Sequence, residues 1–184
     1  MKSIYFYKKI DLKTILSDKQ VALTVKRLAH QIVENDTQLS NTVFIGIQPR
    51  GIFLSERIVT EIKKIVQPQL VQYGKLDITF YRDDVRNELH IANKTDISFT
   101  IENKRVVLID DVLWTGRTIR AALDALIDFG RPSKVELCVL IDRRFNRELP
   151  IQPNYTGKAI DTFVTEKIKV MWHETNDKDE VVLI

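Results

Sequence analysis

Residues 105–118 read RVVLIDDVLWTGRT, and this stretch decides the fold. Its first five residues, 105–109, form a short apolar run, which is typical of a buried strand. Two carboxylates, Asp110 and Asp111, follow the run directly. A short loop then ends in the residues TGRT at positions 115–118. The stretch therefore predicts a strand, an acidic pair and a turn rich in hydroxyls.

An amphipathic helix is predicted directly after this turn. Apolar side chains recur there with helical spacing, which predicts one buried helix face made of Ile119, Ala122, Leu123, Leu126 and Ile127. A glycine at position 130 and a proline at position 132 end the helix. Further apolar strands are predicted at 43–47 and 134–141, and further helices at 18–34 and from residue 51 to about residue 66. This order favours an α/β domain.

The turn between strand and helix has the groups that a phosphate requires. Gly116 allows close approach of the backbone to a ligand, and Thr115 and Thr118 offer hydroxyls. The first amides of a helix have no intrahelical partner and bind anions. The acidic pair would repel a phosphate but suits vicinal sugar hydroxyls or Mg²⁺. Together they indicate a ribose 5-phosphate site, although an Asp-Asp pair by itself is more often a solvated turn or a helix cap.

Two common nucleotide motifs are missing from this turn. The P-loop pattern and the dinucleotide pattern GxGxxG do not occur at this place. Instead, DDVLWTGRT at 110–118, followed by RAALDAL at 120–126, resembles the binding motif for phosphoribosyl pyrophosphate (PRPP) of type I phosphoribosyltransferases. The residues of these two segments are most similar to those of the PyrR subfamily, whose members are pyrimidine operon regulators and also uracil phosphoribosyltransferases. The resemblance covers about residues 15–184.

The resemblance implies one phosphoribosyltransferase domain over residues 1–184, with a central, mainly parallel sheet flanked by helices. It also implies a flexible β-arm at about 76–101 and a small hood at about 143–172 with an N-terminal contribution. The alternating pattern at 76–82 predicts the first strand of this arm, and 97–101 the returning strand. The arm would close over the reaction and exclude water.

A second anion site is predicted where the strand at 43–47 enters the turn QPRG at 48–51. Arg50 can bind two oxygens of one ligand, but an ordinary loop between strand and helix is an equally good interpretation of the turn alone. The resemblance assigns this turn to pyrophosphate. Whether the peptide bond before Pro49 is cis stays open at this point.

The resemblance also implies the roles of individual residues. Catalysis is expected of Asp110, Asp111 and Arg82, and the base is expected to contact Asp142, Arg143 and Val164. Mg²⁺ is the expected cofactor, bound through PRPP, with Asp110 and Asp111 as possible ligands. The predicted binding residues for PRPP and the nucleotide are Pro49, Arg50, Gly51, Asp110, Asp111, Val112, Leu113, Trp114, Thr115, Gly116, Arg117 and Thr118.

A possible RNA surface lies on the helix at 18–34. Its polar face carries Lys26, Arg27 and His30, and a charged helix face is usually only solvated. The resemblance implies that these residues, together with Arg147, bind leader mRNA. A net charge of +3 neither requires nor forbids such a partner.

The composition is that of a globular protein, with 184 residues, 44% hydrophobic and 29% charged. Such a chain is most simply one domain and buries roughly 70% of its unfolded surface. The single cysteine, Cys138, lies in an apolar strand pattern and indicates a reducing compartment. With no apolar leader and no run of 18 apolar residues, a cytoplasmic protein without a membrane partner is predicted. The resemblance implies a homodimer or homotetramer.

Three functions remain open from the sequence. The first is a uracil phosphoribosyltransferase, which makes UMP and pyrophosphate from PRPP and uracil, with or without an additional role as regulator of a pyrimidine operon. The second is mainly an RNA-binding attenuator that responds to UMP and retains only vestigial catalysis. The third is a purine phosphoribosyltransferase, which would share the motif at 110–118.

Overall fold

The structure, a computed structural model, describes residues 12–83, 92–163 and 166–184. In chain order its strands and helices are β1 (Lys13–Leu16), α1 (Asp18–Asn35), β2 (Thr42–Ile47), α2 (Gly51–Ile65), β3 (Gln72–Leu76), β4 (Arg105–Leu113), α3 (Arg117–Leu126), β5 (Lys134–Arg144), β6 (Tyr155–Asp161), β7 (Ile168–Met171) and β8 (Glu180–Leu183). Short 3₁₀ turns cover Pro68–Leu70, Thr79–Tyr81 and Ile127–Phe129.

Five strands form a parallel sheet in the order β3-β2-β4-β5-β6. All six residues of β2 are buried, as are most residues of β4 and β5, because helices cover both faces of the sheet. The core on one face includes side chains from α1 and α2, and the core on the other face includes those from α3. The predicted α/β class and its mainly parallel sheet are confirmed.

A second, antiparallel sheet has the strand order β1-β8-β7. Its first strand leads directly into α1, where Ser17 is the N-cap and its backbone N–H donates to the side chain of Gln20 at 2.9 Å. Residues 155–161, which fall within the predicted hood, form the edge strand β6 of the five-stranded sheet. No helix in the part of the chain that the structure describes has both the length and the apolar character to cross a membrane.

The predicted arm strand at 76–82 is wrong. Strand β3 pairs with β2 and ends at Leu76, because the carboxylate of Asp77 turns the chain into a 3₁₀ turn. This carboxylate accepts hydrogen bonds from the backbone N–H of Thr79, at 2.6 Å, and of Asn93. The predicted returning strand at 97–101 is also wrong, since the described part of the returning chain makes only an isolated bridge between Lys75 and Asp96.

The predicted buried face of α3 is partly wrong. Leu123 is 38% exposed and Ile127 is 73% exposed. The helix instead packs two small residues, Ala121 and Ala125, against the sheet together with Ile119, Ala122 and Leu126. Small side chains allow a helix to lie close to a sheet, so the buried face is rotated toward them.

Candidate active site

The acidic pair lies within β4, which continues to Leu113 rather than ending at Ile109. Asp110 and Asp111 are each only 6% exposed. The backbone N–H of Asp111 donates to Oδ1 of Asp110 at 2.9 Å, and Arg50 Nη2 lies 2.9 Å from Oδ2 of Asp111. Burial raises the pKa of both carboxyls; the charge of Asp111 raises that of Asp110 further, whereas Arg50 opposes the shift at Asp111.

The turn from β4 to α3 is shaped as an anion site. Gly116 is the N-cap of α3 with φ of 95°, a left-handed conformation that glycine adopts without steric cost. The backbone N–H groups of Glu148 and Leu149 donate to the carbonyl of Thr115 at 3.0 and 3.2 Å. The loop after β5 therefore holds the turn in place from outside. The first backbone N–H of α3, that of Arg117, donates to Oγ1 of Thr115 at 3.4 Å, and helix N-termini of this kind can bind anions.

Arg117 joins this turn to two other segments. Its Nε lies 2.6 Å from a carboxylate oxygen of Glu148, and its Nη1 lies 3.0 Å from Asp83. Asp83 follows the 3₁₀ turn at the base of the predicted arm and also lies 2.9 Å from Arg120. The described base of the arm is thus attached to the start of α3.

The turn from β2 to α2 packs against the acidic pair. The Gln48–Pro49 peptide bond is cis. A Cβ atom added to Gly51 would lie 2.7 Å from the carbonyl oxygen of Ile109 and 3.0 Å from Cα of Asp110. Only glycine allows this close approach of the two segments. Arg50 extends from the same turn toward Asp111 and also donates to the carbonyl of Val170 at 3.3 Å.

One cleft of about 550 Å³ brings most of the predicted site residues together at the carboxyl ends of β2, β4 and β5. Pro49, Gly51 and Asp110 do not line it. Val164 lies outside the described residues. The residues that line the cleft are Arg50, Arg82, Asp111, Val112, Leu113, Trp114, Thr115, Gly116, Arg117, Thr118, Ile119, Arg143, Glu148, Glu166, Lys167 and Ile168.

Arg143 lines the same cleft beside Trp114. It is 4% exposed, donates to Oγ1 of Thr162 at 3.1 Å and to the carbonyl of Glu166 at 2.8 Å, and its guanidinium carbon lies 4.8 Å from the ring centre of Trp114. Burial lowers its pKa. This fixed guanidinium beside an aromatic ring can contact a planar, polar ligand.

The structure does not bring Asp142 into this cleft. Its carboxylate pairs with Arg147, which also donates to the carbonyl of Trp114. Both residues line a separate cavity of about 480 Å³. The sequence analysis missed five residues that line the cleft. Ile119 directly follows the predicted motif, whereas nothing local marks the other four, which reach the cleft from a different part of the chain: Glu148, Glu166, Lys167 and Ile168.

A family model described as "Phosphoribosyl transferase domain" matches residues 11–174. The chain belongs to the type I phosphoribosyltransferases. It is 44% identical over 171 residues to proteins named "Bifunctional protein PyrR" from Bacillus cereus (strain AH820) and Bacillus thuringiensis subsp. konkukian (strain 97-27). These matches cover 91% of this chain and 94% of each relative. The predicted resemblance is confirmed.

Solved structures of other phosphoribosyltransferases share the fold. A hypoxanthine phosphoribosyltransferase from Staphylococcus aureus has a TM-score of 0.64 and 25% identity, with 89% of this chain and 85% of that chain covered. A hypoxanthine-guanine phosphoribosyltransferase from Bacillus anthracis has a TM-score of 0.62 and 21% identity, with 82% and 84% covered. The latter likeness supports the fold and not the choice of base.

The donor set of this phosphoribosyltransferase fits a Mg²⁺ ion that is bound mainly by its substrate. Among residues 12–83, 92–163 and 166–184, no group of three or more His, Cys, Asp or Glu side chains could hold a metal by itself. Asp111 lines the cleft, together with Arg50, Arg82 and the hydroxyl residues Thr115 and Thr118, and Asp110 lies directly beside it in β4. Mg²⁺ commonly takes one or two carboxylates and completes its shell with phosphate oxygens and water.

The residues that the resemblance implies for RNA binding lie on two surfaces. Lys26, Arg27 and His30 are exposed on α1. Arg27 donates to the carbonyls of Thr156, at 3.4 Å, and Gly157, at 2.5 Å, so α1 is attached to β6. Thr156 also lines the cavity that contains Arg147, and the two surfaces are thus neighbours across β6.

Proposed function

We propose that this phosphoribosyltransferase transfers ribose 5-phosphate from PRPP to uracil. The bond between C1 of the ribose and the pyrophosphate oxygen breaks, the bond from C1 to N1 of uracil forms, and the N1 proton is released. The products are UMP and pyrophosphate. One observation carries the proposal: a phosphate turn, a buried acidic residue and the guanidinium of Arg50 line one cleft.

The phosphate turn would bind the 5-phosphate. Thr115, Gly116, Arg117 and Thr118 line the cleft at the N-terminus of α3, where the helix dipole and the first amides attract an anion. The left-handed conformation at Gly116 lets the backbone surround the phosphate. Fixing one end of PRPP in this way places the reacting carbon farther along the cleft.

The acidic pair would hold the ribose hydroxyls and stabilise the reacting sugar. Carboxylates accept hydrogen bonds from vicinal hydroxyls. As the bond to pyrophosphate breaks, positive charge develops on the ribose ring, and the carboxylate of Asp111 lies in the cleft where this charge appears. A preorganised charge in a buried site stabilises such a state more than it would in water.

The leaving pyrophosphate would be bound by Arg50 and Arg82, which both line the cleft. Arg50 is about half exposed and extends from the turn that packs on β4, so it can rotate toward the ligand. When bound, Mg²⁺ would neutralise charge on the pyrophosphate, with Asp110 and Asp111 as its possible protein ligands. Each planar guanidinium can donate two hydrogen bonds to oxygens of a diphosphate.

The base end of the cleft supports a small planar base. Arg143 and Trp114 form one wall there, with the guanidinium and the ring in contact. The choice of uracil rests on the relatives at 44% identity, whose name contains PyrR, the subfamily identified above with uracil phosphoribosyltransferases. The buried thiol of Cys138 is consistent with a cytoplasmic location as part of the same proposal.

A pyrophosphate-release assay tests the substrate. The protein, PRPP and Mg²⁺ are incubated with uracil, hypoxanthine, guanine or orotate, and a reaction without a base measures hydrolysis. We expect release with uracil well above that with the other three bases. Preference for hypoxanthine or guanine would instead establish the purine alternative, and no release with any base would contradict the enzymatic function.

RNA regulation is a second candidate function, favoured by the exposed basic face of α1 and by the word "Bifunctional" in the relatives' name. A gel shift at physiological salt with the leader RNA of a pyrimidine operon, with and without UMP, tests it. We expect UMP to strengthen binding, and Lys26→Glu to weaken it because phosphate contacts depend on positive charge. Equal binding to an unrelated RNA would contradict this function.

A further inference from the structure

Trp172 lies directly after β7, and its side chain is only 1% exposed. Two groups fix the orientation of its ring. The guanidinium carbon of Arg57 lies 4.7 Å from the ring centre, and the ring of Phe53 lies 6.3 Å away at an angle of 47°. The contact with Arg57 is a cation–π interaction, which is strengthened by partial burial.

Arg57 is itself held in place by hydrogen bonds on several sides. It donates to both carboxylate oxygens of Glu174, at 2.8 and 3.0 Å, and to both of Asp179, at 3.2 and 2.9 Å. It also donates to the carbonyl of Phe53 at 2.9 Å. Helix α2 and the turn between β7 and β8 therefore both hold Arg57 against the Trp172 ring and fix the position of the ring.

Two buried polar atoms remain without a hydrogen bond near this ring. Among the described residues, three buried side-chain atoms lack a hydrogen-bond partner: Nε1 of Trp172, Oδ2 of Asp111 and Nε of Arg120. The indole N–H of Trp172 lies near enough to Asp111 to lower the pKa of its carboxyl, against the larger effect of burial. A buried donor, Nε1 of Trp172, and a buried acceptor, Oδ2 of Asp111, are therefore both without a hydrogen bond.

Arg50 only partly satisfies this carboxylate. Its Nη2 lies 2.9 Å from Oδ2 of Asp111 as an ion pair, yet it donates its hydrogen bond to the carbonyl of Val170 at 3.3 Å. Arg50 is also the group that would bind pyrophosphate in the proposed reaction. If it turned toward the ligand, the buried Asp111 would lose its nearby cation, which is costly unless another donor takes over.

We propose that Trp172 is a positioning residue for Asp111, and this proposal rests on the proposed phosphoribosyl transfer. When Arg50 turns toward pyrophosphate, the indole N–H donates to Oδ2 of Asp111. This fixes the rotation of the carboxylate and leaves its other oxygen for a ribose hydroxyl. An indole N–H suits this role because it is donor only and carries no net charge to compete with the ligand.

Calorimetric binding of PRPP and of UMP to Trp172→Phe tests the proposal. Phenylalanine keeps an aromatic ring between Arg57 and Phe53 but has no N–H. We expect affinity for both ligands to fall roughly tenfold, as for the loss of a hydrogen bond to a charged group. In an Asp111→Asn background the same change should have much less effect, because the two residues act through one contact.

Tyr155→Phe is the matched control, since it also removes one buried aromatic donor. The Tyr155 hydroxyl donates to Glu136 at 2.8 Å, in a network with Arg105 at the other end of the sheet. We expect this control to lower thermal stability and to leave affinity for PRPP unchanged. An equal loss of affinity in both variants would show a general packing effect and would overturn the proposal.

A second measurement follows Trp172 in the unaltered protein while PRPP is added. The chain has two tryptophans, so the ¹⁵N-labelled protein gives two indole N–H resonances, which Trp114→Phe assigns. We expect the Trp172 resonance to shift when PRPP is added and to shift in Asp111→Asn. An unchanged resonance while the protein binds PRPP would overturn the proposal alone, whereas no PRPP binding by the unaltered protein would overturn the proposed function.

Discussion

Replacing Asp111 with asparagine tests the role of the acidic pair most directly. Asparagine has nearly the same size and keeps one oxygen, so the change removes mainly the negative charge. Because Asp111 is 6% exposed, its charge acts in a medium of low polarity. Two unit charges about 4 Å apart interact by about 4 kcal/mol at an effective dielectric constant of 20.

This value agrees with the roughly 3–4 kcal/mol that the loss of one preorganised electrostatic contact costs in other enzymes. Each 1.36 kcal/mol is a factor of ten in rate, so kcat should fall by about two to three orders of magnitude. The effect on KM for PRPP should be smaller, because the sugar carries its positive charge chiefly in the transition state.

Steady-state release of pyrophosphate from PRPP and uracil measures both constants, and Asp124→Asn on the exposed face of α3 is the matched control. The melting temperature separates a chemical defect from unfolding. Burial raises the pKa of Asp111, so the ionised carboxyl weakens folding at neutral pH and asparagine should not lower the melting temperature. Turnover within a factor of a few of the unaltered protein would refute the electrostatic role.

Three further changes test the surrounding structure. Burial and the charge of Asp111 raise the pKa of Asp110. The free energy of unfolding therefore falls as the pH rises from the usual carboxyl pKa toward this raised pKa, because the folded protein must then hold a buried negative charge. Since asparagine carries no charge, Asp110→Asn should raise the melting temperature more at pH 8 than at pH 5. Burial alone would raise the pKa of Glu136, but hydrogen bonds from Arg105 and its other partners lower it to about 2. The ionised Glu136 therefore stabilises the folded protein above the usual carboxyl pKa, and this contribution to the free energy of unfolding is lost as the pH falls toward 2. Glu136→Gln should therefore cost roughly 3 kcal/mol in urea unfolding at pH 7 and much less at pH 3. Gly51→Ala places a methyl group 2.7 Å from the carbonyl of Ile109, and it should raise KM for PRPP several-fold by displacing the pyrophosphate turn, measured in the same assay with Gly130→Ala as a distant control.

The sequence predicted the parts of the fold that local patterns specify. The apolar run at 105–109 and the helical spacing at 18–34 correspond to β4 and α1, because periodicity follows directly from burial on one or both faces. The turn between β4 and α3 was also predictable, since its glycine and hydroxyl residues are contiguous in the chain. Asp111 and the turn at 115–118 line one cleft in the structure, and their role in binding stays a prediction.

The errors arose where a distant contact overrides a local pattern. The alternation at 76–82 resembles a strand, but the Asp77 carboxylate binds two backbone N–H groups and ends it. Asp142 follows a predicted strand, yet its pairing with Arg147 places it in another cavity. Trp172 gave no signal as a site residue, because a buried tryptophan in a strand pattern is usually only part of the core.

Arg50 connects the two sheets at the cleft. Its guanidinium contacts Asp111 on the parallel sheet and the carbonyl of Val170 on the antiparallel sheet. A ligand that draws Arg50 away must therefore break one contact with each sheet at once. The Arg57–Trp172 contact joins the same two parts of the molecule and does not involve the ligand, because Arg57 belongs to α2 and Trp172 follows β7. The two sheets can thus keep their relative position while Arg50 moves. A tryptophan held in place by Arg57 therefore suits the position beside Asp111 better than a second mobile arginine would.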